Sequence, residues 1–531
     1  MLNADTTAPN VDTAVIFYPR GGSAQVVRYL NRELDRRGSQ TLVHAGSLGH
    51  PGDPGHAPTF YHGLRLHSYD YNEAYAKFMA GKDSQAGPRP FHPSYEDRSM
   101  PGRRCPDPMF SATAPPAAAR LANAWTDHLR GRSTSPDVLH LHHLSHLQTA
   151  ARRAYPHTPR VTTLHGTEMK QLQGIRERLA LAEHLQTTVD ALAVTLDPEN
   201  PDRPATLHRL THEHQLDGDQ QQLLAGTDWG KWQWSRYWDR AVATAVRHAG
   251  RIICVSEHDR DLARELFPHL AHTDVPVITN GVDTTRFRPA ELSDEQRLAF
   301  LHRWLVNDPR GWAEGQKAGS IRYEAGDLER LRDPRTGHLR PLLLWVGRFL
   351  DFKRVPVLLR AFAQLSKELQ TPPALLMWGG YPGECEGEHP QEIARRLGIE
   401  QDVYFVGWRG HDELPAGLTT ADLMVAPAVR EPFGMVYIEA MAAGCPPIAT
   451  ATGGPALTIT PDGPDANGWL VRPDDTDDLA AAIKQALVDP SERTRRAATG
   501  AAHAARTYGW SYVADRYITE YETAIANGDG R

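Results

Sequence analysis

Short apolar runs of strand length alternate with helix-length amphipathic stretches along almost the whole chain, and nothing else in the sequence restricts its fold as strongly. That alternation is the pattern of a parallel β-sheet with helical crossovers. A chain of 531 residues exceeds what one hydrophobic core usually supports, so two domains are expected. The alternation occurs in two series. In the first, strands are expected at residues 14–18, 41–45, 138–141, 161–164, 251–255 and 275–279, with a helix over 24–37 that ends at Gly38. In the second, strands are expected at 342–346, 374–378, 403–406, 423–426 and 447–449. Helices are expected there over 355–369, 391–397, 436–443 and 476–487. The fold class is therefore α/β, with two Rossmann-like domains: 1–285 and 341–509. The charged, tryptophan-containing segment 286–340 reads as an insertion at their junction. Residues 46–116, rich in Pro, Gly and His, read as a long surface excursion with one helix near 73–79.

Composition removes several classes. The formal net charge of -7 argues against a dedicated nucleic-acid binder. No apolar run approaches the ~20 residues of a membrane-spanning helix, and no basic, then apolar leader opens the chain. Cys105, Cys254, Cys385 and Cys445 lie too far apart for a close-spaced zinc site or a disulfide scaffold. A cytoplasmic protein without an integral membrane segment is the expectation.

In open parallel sheets, ligands bind at the carboxyl ends of strands, so residues that follow strands are the candidates. Gly21-Gly22 follow the first strand and open a helix, where paired glycines let backbone amides approach an anion. Arg348 and Lys353 follow the first strand of the second series, and two cations there suit a departing diphosphate. Glu431 follows the strand at 423–426. Phe433, Gly434 and Met435 then lead into a helix that carries Glu439. A loop-to-helix turn between two carboxylates lets them hold two ends of one ligand, with the amides of residues 433–435 between them. His165 ends the strand at 161–164 and can donate to hydroxyl or backbone groups. His140, His142, His143 and His146 invite a metal assignment, but His140 and His142 share one strand face while His143 points away. No carboxylate or cysteine cluster completes that set, so no metal is assigned. Residues 229–238, rich in tryptophan, read as core in preference to a pocket wall.

Taken together and in order, these residues resemble the family-4 retaining glycosyltransferases of the GT-B fold, including the actinobacterial mycothiol-pathway and mannosyltransferase-type enzymes. The matching pieces are Gly21-Gly22, Pro136-Asp137-Val138-Leu139-His140, Leu164-His165-Gly166, Val255-Ser256-Glu257, Asn280-Gly281-Val282-Asp283, Val346-Gly347-Arg348 with Lys353, Glu431 to Glu439, Gly453-Gly454-Pro455 and Asn467-Gly468-Trp469. The resemblance implies a retaining transfer of a sugar from a nucleotide-diphosphate donor, without a metal or other cofactor. It implies that Arg348 and Lys353 bind the diphosphate, that Glu431 holds sugar hydroxyls, and that Glu439 accepts from the ribose. Trp408 and Arg409 would flank the base, Gly22 would approach the phosphates, and His165 would contact the sugar. The last helical stretch, about 510–531, would pack back on the N-terminal domain.

The excursion at 46–116 would shape the acceptor pocket, with Arg65, Tyr69, Tyr71, Glu168 and Lys170 as candidate contacts. Residue usage rich in Pro, Arg and Ala points to an actinobacterial natural-product or low-molecular-weight thiol pathway, with antibiotic biosynthesis as one setting. Expected partners are a nucleotide sugar and a small-molecule acceptor, without nucleic acid, and a homodimer is open. A sugar phosphorylase, an epimerase and a non-catalytic nucleotide-sugar sensor remain alternatives on the same fold.

Overall fold

The computed structural model describes residues 8–95, 107–131, 135–431 and 433–528, so Cys105 and Pro432 lie outside the described residues. The chain divides into two compact units, the first built chiefly from residues up to Ile278 together with the segment from Ala514 onward, the second from Thr279–Val513.

Unit 1 holds a parallel sheet of β1 (Val11–Val15), β2 (Thr41–Ser47), β3 (Leu66–Asp70), β4 (Val138–His142), β5 (Arg160–Leu164) and β6 (Arg251–Cys254), in the order β3-β2-β1-β4-β5-β6. Unit 2 repeats the arrangement with β7 (Leu342–Gly347), β8 (Ala374–Gly379), β9 (Val403–Gly407), β10 (Leu423–Ala426), β11 (Pro447–Thr450) and β12 (Trp469–Val471). Their order, β12-β11-β10-β7-β8-β9, is the order of unit 1 read from the other edge. The order reverses between β1 and β4 in one unit and between β7 and β10 in the other. In a doubly wound sheet that reversal leaves a crevice outside the carboxyl ends of the two strands, where ligands bind.

The central strands are aliphatic because both faces are covered. β7 and β8, Leu-Leu-Leu-Trp-Val-Gly and Ala-Leu-Leu-Met-Trp-Gly, run buried under the helix Val355–Glu368 and its neighbours.

Three segments differ from the sequence expectation. The excursion after β2 carries the expected helix, at Asn72–Met79, but it is more than a surface loop, because it also contributes β3 to the sheet. Leu-His-Ser-Tyr-Asp lacks the aliphatic alternation by which a strand is recognised, and its burial is aromatic, with Tyr69 stacked on Trp125 at 5.2 Å. Residues 286–340 are not a free insertion but part of unit 2. Trp304 packs edge-on against Trp378, the Trp312 indole donates to the Gly380 carbonyl, and Arg310 bridges to Gly407. The expected strand at 275–279 is reduced to a single bridge, Cys254 to Val277. Between β5 and β6 the crossover is a bundle of helices, with a core of its own around Trp229 and Leu224, rather than one helix. Trp229 and Trp238 are buried, as a core reading requires.

The final helix, Trp510–Asn527, places Tyr517 and Tyr521 in unit 1. The Tyr521 hydroxyl lies 2.8 Å from His140 Nδ1, and Tyr517 packs on the same ring.

Candidate nucleotide-sugar site

In unit 2 the topological reversal falls between β7 and β10, and both strands run directly into candidate residues. After β7, the turn Asp351–Lys353 carries Lys353. After β10, the chain passes through Glu431 to the helix Met435–Ala442. The two loops are sewn together by the Val429 amide donating to the Phe352 carbonyl at 2.8 Å. That contact brings Lys353 Nζ to 2.5 Å from Glu431 Oε2, in a pair whose side chains are 16% and 15% exposed. The pair is shielded enough for its charges to matter, yet open to a ligand.

The helix start next to Glu431 is shaped by backbone. Gly434, at φ 77°, is its N-cap and supplies no side-chain cap; the Tyr437 amide donates to the Gly434 carbonyl at 3.0 Å, and the amides of Met435 and Val436 gain no side-chain cap. A Cβ at Gly434 would fall 2.5 Å from the Tyr437 ring and 3.0 Å from Glu431 Cγ. On the far side, the Gly454 amide donates to the Glu431 carbonyl at 2.8 Å, and a Cβ there would meet the Phe433 carbonyl at 2.1 Å. Phe433 is buried, while Met435 at the helix start is half-buried. Tyr437 fixes the other side of the turn, its hydroxyl donating to the Ala426 carbonyl at 2.8 Å. The result is an acidic side chain beside helix-start amides without a side-chain cap, a surface that can bind hydroxyls and an anion together.

Glu439 lies one turn deeper, 4% exposed, with Oε1 2.7 Å from His411 Nε2. His411 enters through the helix Gly410–Thr420, directly after β9. Sequence reasoning missed it. The signal available was its place just after Trp408-Arg409 at a strand end, which the motif pieces did not include. Arg348 follows β7 at the rim, 3.8 Å from Glu384. Trp408 is an exposed aromatic beside β9, 41% accessible. Arg409 differs from expectation. Its side chain is 1% exposed and hydrogen-bonds the Trp304 carbonyl at 2.6 Å and the Asp308 carboxylate at 3.1 Å. Its guanidinium therefore anchors residues 304–308 rather than standing beside a base.

In unit 1 the reversal lies between β1 and β4. Gly21 and Gly22 are both exposed at the start of the helix Gly21–Arg36, with Gly21 at φ 70°. Arg20 beside them donates to the Tyr18 hydroxyl at 3.0 Å and pairs with buried Asp107. His165 sits past the end of β5, its Nε2 2.9 Å from His142 Nδ1. Burial, reinforced by neighbouring histidines, pushes both rings well below the ordinary histidine pKa, so they stay neutral near pH 7. Burial pushes the Glu168 carboxyl up, but His143 and local hydrogen bonds outweigh it and hold it below the usual range. Glu168 accepts from His143 at 3.1 Å and from the His165 amide at 3.0 Å, so it positions the histidines instead of facing an acceptor. Tyr71 and Tyr69 are also unavailable as acceptor contacts. Tyr71 is fully buried and donates to the Ile16 carbonyl at 2.8 Å, and Tyr69 is 4% exposed. Arg65 is at the surface, 4.0 Å from Asp35, and Lys170 is exposed.

Two six-stranded parallel sheets of this order define the GT-B fold, and solved structures of glycosyltransferases share it. Sucrose-phosphate synthase from Thermosynechococcus elongatus aligns with a TM-score of 0.59 at 18% identity, covering 98% of this chain and all of that one. Anabaena HepE in complex with UDP-glucose aligns at 0.53 and 14% identity, covering 97% of this chain and all of that one. At such identities the likeness is one of fold.

Residues 332–503 match the family model described as glycosyl transferases group 1, and residues 184–286 match the one described as glycosyltransferase family 4. A D-inositol 3-phosphate glycosyltransferase of Catenulispora acidiphila is 33% identical over 216 residues, covering 39% of this chain and 50% of that one. One from Salinispora tropica is 30% identical over 296 residues, covering 54% of this chain and 52% of that one. The chain thus spans about half the length of the curated relatives it matches. Among the described residues, no helix is long and apolar enough to cross a membrane.

Proposed function

We propose that the chain transfers a sugar from a nucleotide-diphosphate sugar to a small hydroxylated acceptor with retention of anomeric configuration. The observation that carries this reading is the Lys353–Glu431 pair at the reversal between β7 and β10, next to the uncapped start of the helix that bears Glu439. Lys353 and Arg348 would neutralise the departing diphosphate, and the amides at Phe433, Gly434 and Met435 would share that charge. Glu431 would hold hydroxyls of the transferred sugar, Glu439 would accept from the ribose, and Trp408 would lie against the base. In unit 1, His165 as a neutral imidazole would donate to the sugar, and the Gly21–Gly22 turn would serve the phosphate side.

The chemistry asks little of a base. As the bond from the anomeric carbon to the phosphate oxygen breaks, positive charge develops on the sugar and negative charge on the leaving diphosphate. Fixed cations and amides stabilise the second, and an acceptor hydroxyl attacks from the face the leaving group vacates, its proton passing to the departing phosphate oxygen. No residue need form a covalent intermediate, and no metal is required. The names of the relatives, D-inositol 3-phosphate glycosyltransferases, support a polyol phosphate of the inositol phosphate type as acceptor; a low-molecular-weight thiol or natural-product pathway of the cytoplasm is the setting proposed with it.

Lys353→Met and Glu431→Gln each should lower kcat about 10²–10³-fold, as loss of one charge-stabilising group does elsewhere. The measurement is release of nucleoside diphosphate from UDP-, GDP-, ADP- and dTDP-sugars with inositol phosphate present. The double variant K353M/E431Q removes both charges together and serves as the fold control, since either single change strands a partly buried charge. Near-normal turnover in both single variants would refute the assignment. Activity that requires inorganic phosphate and no nucleotide would replace it with a phosphorylase.

A further inference from the structure

His44, His67 and His128 take no part in the site described above, although His128 packs edge-on against Tyr69 and Trp125. His44 on β2 and His67 on β3 are direct register partners, and His128 reaches them from the last turn of the helix Pro115–Arg130. The His44 ring lies 5.4 Å from each of the others, and His67 and His128 stack at 3.9 Å. One ligand atom from each of the three lies within 4.8 Å of the other two.

The remaining ring nitrogens are already engaged as they are in metal sites. A ligating histidine ordinarily gives its second nitrogen to a carboxylate or a backbone carbonyl, which fixes ring and tautomer. His44 Nε2 lies 3.4 Å from Asp12 Oδ2, and His128 Nε2 lies 3.2 Å from the His67 carbonyl oxygen. His44 is fully buried, and its Nδ1 has no hydrogen-bond partner, a polar atom that burial alone would penalise. Nδ1 is thus the nitrogen each of these two rings has left to offer.

We propose that His44, His67 and His128 bind one divalent zinc-class ion on the flank of unit 1's sheet, with Asp12 orienting His44 from behind. Three imidazoles suit zinc or a neighbouring transition metal, whereas calcium and magnesium take oxygen ligands. His67 and His128 are half-buried, so a fourth position stays open to water. Bonds of ~2.0–2.1 Å in a tetrahedral site hold nitrogens about 3.4 Å apart, so small ring rotations complete the closure. The ion clamps the end of the helix Pro115–Arg130 onto β2 and β3. It takes no part in sugar transfer: β5, which leads to His165, lies three strands from β2, about 14 Å at the usual strand spacing.

The test uses the full chain, without an affinity tag, stripped with chelator, equilibrated with Zn²⁺ and dialysed before metal content is measured. Co²⁺ provides a second probe through its visible absorption. One equivalent of metal and a tetrahedral-type Co²⁺ spectrum are expected for the native chain. His67→Gln and, should that variant fold poorly, His128→Gln should lose both, and Asp12→Asn should weaken affinity about 10–100-fold. Absence of retained metal in the native chain, or equal retention by the histidine variants, overturns the proposal and leaves the three rings as aromatic packing against Tyr69 and Trp125.

Discussion

At the residue scale, the site depends on charges held in place by partners contributed from different strand ends. Glu439 is the clearest instance. It is nearly buried, and His411 is the group that orients it. Hydrogen bonds to charged groups are worth ~1.5–3 kcal/mol, so Glu439→Ala should weaken nucleoside diphosphate binding about 10–150-fold. His411→Ala should produce part of the same loss. In a double-mutant cycle read by calorimetry, the two losses should not add; full additivity would mean that His411 does not act through Glu439. Glu431, Glu439, Lys353 and Arg348, the proposed donor residues, were legible as candidates because each comes after an aliphatic strand in the sequence. His411 could not, since its role is set by a contact across 28 positions. Arg409 was placed beside the base by the resemblance alone, which carries no information on its tertiary partners here, Asp308 and Trp304.

At the element scale, the entry to the helix Met435–Ala442 is the most constrained turn of the site. Gly434→Ala should destabilise the chain by at least about 1–2 kcal/mol from the left-handed backbone alone, and more from contact with Tyr437. A lower Tm together with weaker nucleotide binding checks this; an unchanged Tm would show that the turn is free to relax. The strands of both sheets were legible wherever burial is aliphatic, as in β7, β8 and β10. β3 was not, because Tyr69 and its stack on Trp125 do what valine or isoleucine does in the others. Residues 286–340 show the same limit. Trp304, Trp312 and Ile321 belong to the core of unit 2, yet they are spaced by loops and short turns without the period of a helix or strand.

At the scale of the whole molecule, unit 1 stores an unusual number of buried neutral histidines. Burial pushes His140 and His146 down to about 3. An unfolded histidine titrates near 6.5, so these rings cost nothing above that pH. Below it the unfolded chain takes up protons that the folded chain refuses, and the penalty grows until pH nears 3. Two such rings give a slope approaching roughly 3 kcal/mol per pH unit well below 6. Stability should therefore fall between pH 7 and pH 5, and His146→Gln should remove about half of that pair's share; denaturant titrations at both pH values provide the check. A flat profile would mean that the histidines are hydrated and charged.

The central claim, that unit 2 binds a nucleotide-sugar donor through Arg348, Lys353, Glu431 and Glu439, is tested most directly by thermal stabilisation of the purified chain with UDP, GDP, ADP and dTDP, without divalent metal. A ligand at a hundredfold excess over its Kd adds about 2.7 kcal/mol to the folded state. A clear rise in Tm with at least one of the four is expected, and a smaller rise in Glu439→Ala at the same ligand concentration. No shift with any of them, or the same shift in the variant, would contradict it.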